Sequence, residues 1–429
     1  EWQPDRFLYA HYMPFMFTPS NTLFINTHVP FTELKWTNGG ARKVAEQTFR
    51  IRHSQNVNRF LNFGLIYDIV YNIGQYTYQK AIDKNFLFHG SYNTSPYTAY
   101  FSAGLNNHES AENGGLISEE DLPNYDPETV PFRLNNLNSA SSTLNNRYLM
   151  IVQRYSPGGR RDTVTGQLMK NGPVTFSHIG ILEWNKRRYY DSYPGSALYD
   201  TVMISNSATA DSLHQRILLN TLRVDFAAGR TDRFRIGAGA GIRSELRTFG
   251  MIMPGDTLTR PDTTRRNMNS LVLTGKVFNN IGSKFGWSAS GDLWFQGYRA
   301  GDFIVDGRIY KEFATRRRGM ITWDATGTIS SYTPSFWYTS WGSNNFAWQF
   351  DPKREFRLKA GSSLDWPDLK FYLKFDYAIV DNFIYFGGDA KPAQNEGGLS
   401  VLALTARKEF VVWKLHLENT VLLQQSTNT

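Results

Sequence analysis

The sequence predicts an all-β fold: a transmembrane antiparallel up-and-down β-barrel of about 16–20 strands, with short periplasmic turns and long extracellular loops. Three observations lead there. Residues 59–72 read RFLNFGLIYDIVYN, in which Leu61, Phe63, Leu65, Tyr67, Ile69 and Tyr71 alternate with wetter positions that include Asn62, Gly64, Asp68 and Asn72. Period two makes this a strand with one greasy and one wet face, and it is longer than the five or six residues usual in soluble sheets. Segments of the same kind recur along the whole chain. The connections between them alternate between short and long.

Composition agrees with a barrel. Hydrophobic residues are 41% of the 429, yet mean hydropathy is −0.43, so they are dispersed rather than gathered in runs. No stretch approaches the roughly eighteen apolar residues of a membrane helix. Aromatics reach 15%, with 23 Tyr, 30 Phe and 11 Trp. Tyr and Trp, with a polar tip on an apolar body, suit the headgroup level of a bilayer. An all-β soluble protein with aromatic cores would share this composition; strand length and connection pattern decide against it. The absence of cysteine excludes disulfide staples and thiolate metal sites. Residues 1–5, EWQPD, do not read as a signal peptide, so a mature or trimmed form of an exported protein is expected.

The net charge of +8 is unevenly placed. Residues 106–130 hold seven acids (Glu109, Glu112, Glu119, Glu120, Asp121, Asp126, Glu128) and neither Lys nor Arg. With no basic helix, RNP-like aromatic motif or finger spacing, the excess of positive charge elsewhere does not read as nucleic-acid binding.

Residues 1–28 form an irregular, aromatic N-terminal segment, with Pro14 and Pro19 breaking any long element; residues 29–429 read as a single barrel. At 31–36, Leu34 and Trp36 alternate with Glu33 and Lys35. Asn38-Gly39-Gly40 then supplies the positive φ of a tight turn. At 46–53, Phe49 and Ile51 oppose Arg50 and Arg52. Strands at 85–92 and 97–105 flank Asn93-Thr94-Ser95-Pro96, and Tyr97, Ala99, Phe101, Ala103 and Leu105 share a face. Further strands are predicted at 147–155, 174–184, 213–226, 233–246, 270–278, 285–298, 303–310, 320–329, 356–364, 369–379, 399–405 and 410–423. Short turns at 55–58, 93–96, 227–232, 279–284, 365–368 and 406–409 alternate with loops at 73–84, 106–146, 185–212, 247–269, 330–355 and 380–398. A soluble sandwich has no reason to keep that asymmetry over its whole length. One join misfits: residues 156–173 should be short, and are long and charged.

Phe24-Ile25-Asn26-Thr27, Pro30-Phe31-Thr32-Glu33-Leu34 and His53-Ser54-Gln55-Asn56-Val57-Asn58 stand near the start of the chain. Asn382-Phe383-Ile384-Tyr385-Phe386, Pro392-Ala393-Gln394 and Leu417-Glu418-Asn419-Thr420-Val421 stand near its end. In order and spacing these blocks resemble the putative porin family of Bacteroidota outer membranes. The resemblance implies a barrel in the outer membrane of a Gram-negative, Bacteroidota-like bacterium. It also implies a chain incomplete at both ends, because family members are longer and single-chain bacterial barrels have even strand numbers.

If the apolar faces meet lipid, the opposite parity faces the lumen. A charge on the lipid face costs about 2–4 kcal/mol at mid-depth, which enforces that choice. The lumen-facing candidates are Arg50, Arg52, Asn62, Asp68, Arg235, Arg243, Glu245, Arg247, Lys370, Lys374, Asp376, Lys414, His416 and Glu418. Such an interior would favour anions through its field, unless the charges are paired with one another in a filled lumen. Gly237, Gly239 and Gly241 imitate a dinucleotide loop but alternate with Ala238, Ala240 and Ile242 inside a strand; small residues there leave room for a loop or a long side chain. No histidine stands with carboxylates at metal-ligand spacing, so no metal or other cofactor is expected. His53 and Ser54 point to opposite faces. His89 and Ser91 share one, but no third member of a catalytic set is recognisable, so an enzyme is not expected. The acidic residues of 106–130 lack calcium-loop spacing and read as a solvated extracellular loop.

The expected activity is passive diffusion of small hydrophilic, preferentially anionic, solutes. The alternative is a non-conducting barrel, filled by its own loops, that serves as a structural or accessory subunit of a larger outer-membrane complex. A plugged active transporter is disfavoured, since about 22 strands plus a plug do not fit this length. Expected partners are membrane lipid, lipopolysaccharide, the solutes, and other outer-membrane proteins or surface lipoproteins.

Overall fold

Period two sets the architecture. In the computed structural model, residues 7–428 are described apart from 26, 28, 41–45, 75, 116, 118–134, 159, 162–167, 171, 194–197, 231–233, 254–261, 282–283 and 316–318. A single 17-stranded sheet dominates. Its strands are β1 (Phe31–Gly39), β2 (Glu46–Asn56), β3 (Leu61–Asn72), β4 (Ala81–Asn93), β5 (Tyr97–Glu112) and β6 (Ala140–Tyr155). They continue as β7 (Val174–Asp191), β8 (Thr209–Arg230), β9 (Phe234–Met253), β10 (Asp262–Ile281), β11 (Phe285–Gly297) and β12 (Phe303–Thr315). The last five are β13 (Gly319–Tyr332), β14 (Glu355–Trp366), β15 (Phe371–Asp381), β16 (Gly398–Val412) and β17 (Leu415–Asn428). Each pairs antiparallel with the next in sequence, a barrel meander throughout.

The connections sort by end. After even-numbered strands come 57–60, 94–96, 231–233, 282–284, 316–318, 367–370 and 413–414, all short, and the long exception 156–173. After odd-numbered strands come the longer joins, among them 113–139, 192–208, 333–354 and 382–397. These are the turn end and the loop end of the barrel.

Several boundaries differ from the sequence reading, and β5 to β10 all run longer than expected. The last turn is not at 406–409: β16 runs straight on to Val412, and Val412 faces Leu415 across a two-residue turn in which Trp413 adopts φ 56°. The polar run Arg407-Lys408-Glu409 looked like a turn, but it continues the alternation of β16. The loop placed at 106–146 is shorter, because β5 and β6 stay paired out to Glu112 and Ala140.

Exposure is inverted relative to a soluble sheet. On β8 the outward Leu222 is 61% exposed while the inward Gln215 is 2% exposed. Exposed Leu149, Ile151, Val224, Ile242, Leu273, Val305 and Ile309 continue the outward apolar band. Asn62, Asn85, Ser102, Asn146 and Glu245 are buried on the inner face. Only an apolar solvent outside makes that arrangement favourable. Tyr92, Tyr155, Phe176, Trp287 and Phe313 ring the outer surface at the turn end, an aromatic girdle at the headgroup level.

Candidate functional site: the lumen

Residues 7–25 lie inside the barrel. A 3-10 helix at Ala10–Phe15 starts near the loop end, and the chain then descends along β2–β6 to enter β1 at the turn end. Tyr12 stacks on His108 of β5 with centroids 5.1 Å apart. Asn85 Nδ2 donates to the Phe15 carbonyl at 2.9 Å. Phe17 is held twice by Asn106: its N–H donates to Oδ1 at 2.9 Å and its carbonyl accepts from Nδ2 at 2.8 Å. Thr22 meets the Tyr148 hydroxyl at 3.1 Å, and Phe24 packs edge-on against His89.

Strand register explains the anchor. Asn85, Asn106, Asn146 and Asn185 stand directly opposite one another on β4, β5, β6 and β7, one inward amide per strand. Asn106 Nδ2 donates to Asn146 Oδ1 at 2.7 Å, and Asn146 Nδ2 donates to Asn185 Oδ1 at 2.6 Å and to Glu183 Oε1 at 2.8 Å. Buried amides without partners cost about 1–3 kcal/mol each, so the bonds along Asn106, Asn146 and Asn185 stabilise the ladder, whereas Asn85 turns its Nδ2 to Phe15 and leaves its Oδ1 without a partner among the described residues. Gly104 lies opposite Tyr148, and a Cβ there would overlap the tyrosine ring; glycine lets that ring lie flat on the wall towards Thr22.

The loop end is closed over by inward loops. A single helical turn, α1 (Phe336–Thr339), buries Trp337 at 0% exposure among Leu8, Leu213, Phe249 and Met251. Asn344 ties this loop to residues 192–208. Its Nδ2 donates to the Ser205 carbonyl (3.0 Å) and Thr209 Oγ1 (2.8 Å), and its Oδ1 accepts from the N–H groups of Ile204 (2.9 Å) and Ser205 (2.8 Å). Burial pushes the hydroxyls of Tyr199, Tyr298 and Tyr338, all in loop-end connections, above the ordinary phenol range. They therefore remain protonated donors.

The opposite wall, β8–β15, is polar and charged. Glu245 accepts from Arg243 (2.8 Å), Arg247 (2.9 Å) and the Trp294 indole (3.2 Å). Arg243 also reaches Asp292 at 3.1 Å. Two guanidinium groups lie over Trp294, Arg299 at 4.3 Å and Arg243 at 5.3 Å from its ring. Arg299 pairs with the fully buried Asp302 at 2.8 Å. Further along, Arg223 pairs with Asp225 at 2.6 Å and Arg308 with Asp324 at 2.5 Å. A cavity of 470 Å³ lies against this wall, lined by Arg243, Glu245, Asp292, Asp306, Arg357 and Lys359 among others. Lys359 has no ionic or hydrogen-bond partner among the described residues.

The sequence-predicted residues fall as follows. Arg50 and Asp68 meet in a bidentate pair, both contacts 2.7 Å; Arg52 comes within 3.9 Å of Glu33. Arg243, Glu245 and Arg247 form one cluster. Arg235 lies over the Phe278 ring, and Lys374 pairs with Asp376 at 2.8 Å. Lys370 and His416 converge on Glu409 at 2.6 and 2.5 Å. Lys370 and Lys414, however, sit in turns rather than on inward strand positions. Glu109 and Glu112 belong to β5 rather than to a loop; Glu119, Glu120, Asp121, Asp126 and Glu128 lie outside the described residues. His89 faces inward with Ser91, but neither of its ring nitrogens has a hydrogen-bond partner among the described residues. Gly239 makes room for the Arg223–Asp225 pair, and Gly237 for the Phe278 ring. The asparagine ladder, Trp294, Arg299 and Asp302 were missed; the inward parity of the four asparagines was readable, but their alignment needs the register.

A family model described as putative porin matches residues 2–429. The chain belongs to the putative porin family. Among curated protein sequences none matches it. Solved structures show the fold of this porin-family chain. The RagAB peptide importer in its 'open-open' state aligns with TM-score 0.57 and 8% identity, covering 90% of this chain and 50% of that one. The siderophore receptor PirA from Acinetobacter baumannii gives TM-score 0.62 and 8% identity, covering 93% and 62%. A mutant form of the ferric enterobactin receptor PfeA from Pseudomonas aeruginosa gives 0.60 and 10%, covering 94% and 63%. This porin-family chain thus spans half the length of the importer chain and about three-fifths of each receptor. Family and fold together place it in a Gram-negative outer membrane.

Proposed function

We propose that this protein lets small hydrophilic solutes diffuse passively across the outer membrane of a Bacteroidota-type bacterium, through a lumen narrowed by its own N-terminal segment. The supporting observation is the division of the lumen. Residues 7–25 occupy one wall, while the opposite wall holds a cavity lined by hydrogen-bonding charges. Ion pairs such as Arg243–Glu245 offer donors and acceptors to a passing solute, and their mutual neutralisation leaves a weak net field. Lys359 adds a modest preference for anions. No covalent step and no cofactor enters this reading. Structural similarity to a peptide importer and to siderophore receptors supports a transport role at the level of fold. Lipid and lipopolysaccharide surround the apolar band.

The buried cluster around Trp337 favours a second reading, a non-conducting barrel acting within a larger complex. Swelling of proteoliposomes in sugars of increasing size separates the two. Swelling that slows with solute size supports diffusion. No swelling from well-folded protein, with other outer-membrane proteins or lipoproteins recovered from mild detergent, supports the subunit.

A further inference from the structure

A second cavity, of 320 Å³, lies at the loop end of the lumen. Trp341 and Trp348 stack along it with centroids 5.1 Å apart and planes 10° from parallel. The hydroxyls of Tyr189 and Tyr199 meet at 2.7 Å on its polar side. Arg187 and Asp211 line it too. On the β7–β8 register Asp211 stands opposite Tyr189 and Arg187 opposite Leu213, so cation and anion are two positions apart on one face. They make no ion pair with each other among the described residues. Arg187 has no partner there at all, and Asp211 accepts one bond at Oδ1, from the Asn344 N–H at 2.7 Å.

Elsewhere in this lumen several arginines are matched with carboxylates, as at Arg243–Glu245 and Arg223–Asp225. An uncompensated charge in a partly desolvated aromatic cavity is unfavourable until something of opposite sign arrives. We infer that this cavity binds a small zwitterion with an apolar or aromatic side chain, a free amino acid or a dipeptide. Arg187 takes its carboxylate in fork geometry, Asp211 its ammonium, and the tryptophan pair its side chain. The volume is at the small end of the range for ligand pockets, which favours a compact solute over a long chain. A saccharide would stack on the same tryptophans but leaves the isolated guanidinium unmatched. As a statement of which solute is taken up, the inference rests on the diffusion reading; as a binding site it is tested without membrane passage.

The probe is the dipeptide phenylalanyl-alanine, titrated into the detergent-solubilised barrel and read by tryptophan fluorescence and calorimetry. Its C-terminal amide, its N-acetyl form and maltose serve as comparisons. The dipeptide binds, and loss of either end charge weakens binding about tenfold or more. Arg187→Gln abolishes the preference for carboxylate over amide, and Asp211→Asn the preference for ammonium over N-acetyl, both in protein of unchanged heat-modifiable mobility. Binding indifferent to both end charges overturns the inference, as does binding of maltose in preference to the dipeptide. Binding without proteoliposome swelling would retain the site and remove the diffusion reading; swelling without binding would do the reverse.

Discussion

Asn106 grips Phe17 by both of its backbone polar groups, accepting its N–H at 2.9 Å and donating to its carbonyl at 2.8 Å. One amide on β5 thus replaces a strand partner for a segment that belongs to no sheet. The same Nδ2 continues into Asn146, coupling the segment to the ladder across β4–β7.

Asn106→Ala should therefore release the middle of the inner segment. Three hydrogen bonds are lost, two to Phe17 and one to Asn146, at a cost of about 1–3 kcal/mol for each buried group left unpaired. Limited proteolysis should cut within 7–30 faster than in the parent, with the barrel intact on heat-modifiable gels.

Gly239→Ala should displace the Arg223–Asp225 pair, because an added Cβ would overlap the Asp225 carboxylate. Gly275, where nothing lies within 4 Å of an added Cβ, is the control. Unfolding midpoints should fall for Gly239→Ala and stay within about 0.5 kcal/mol of the parent for Gly275→Ala.

Asn344→Ala strands the hydrogen-bonding groups of Ile204, Ser205 and Thr209 that Asn344 satisfies. Hydrogen exchange at 203–205 should accelerate, while amides on β3 and β4 keep their protection.

Inward and outward parity can be tested by charge. Val305→Lys, on the exposed apolar face, should cost about 2–4 kcal/mol of folding into vesicles. Ser290→Lys, inward and near Asp306, should be tolerated.

Much of the fold was legible because period two is a local property. Every predicted strand overlaps a strand of the sheet, and the greasy parity, as at Leu61 to Tyr71, is the outward one. Termini were harder: Arg407 to Glu409 has turn-like composition but continues β16, and β5 outlasts its apolar stretch because its last residues stand beyond the lipid. The site was legible only in part. Lumen parity identified Arg50, Asp68, Arg243, Glu245 and Arg247, but whether a charge has a partner depends on register, which sequence does not carry. Residues 7–25 read as irregular because hydrogen bonds such as those of Phe15 and Phe17 go to asparagines on other strands, with no internal period to betray them.

Conductance in planar bilayers decides whether water and solute pass the charged wall beside a fixed inner segment. Small, stable current steps with weak ion selectivity, enlarged in Asn106→Ala, are the predicted result. Silent membranes containing demonstrably folded protein, with no current from Asn106→Ala either, would contradict it.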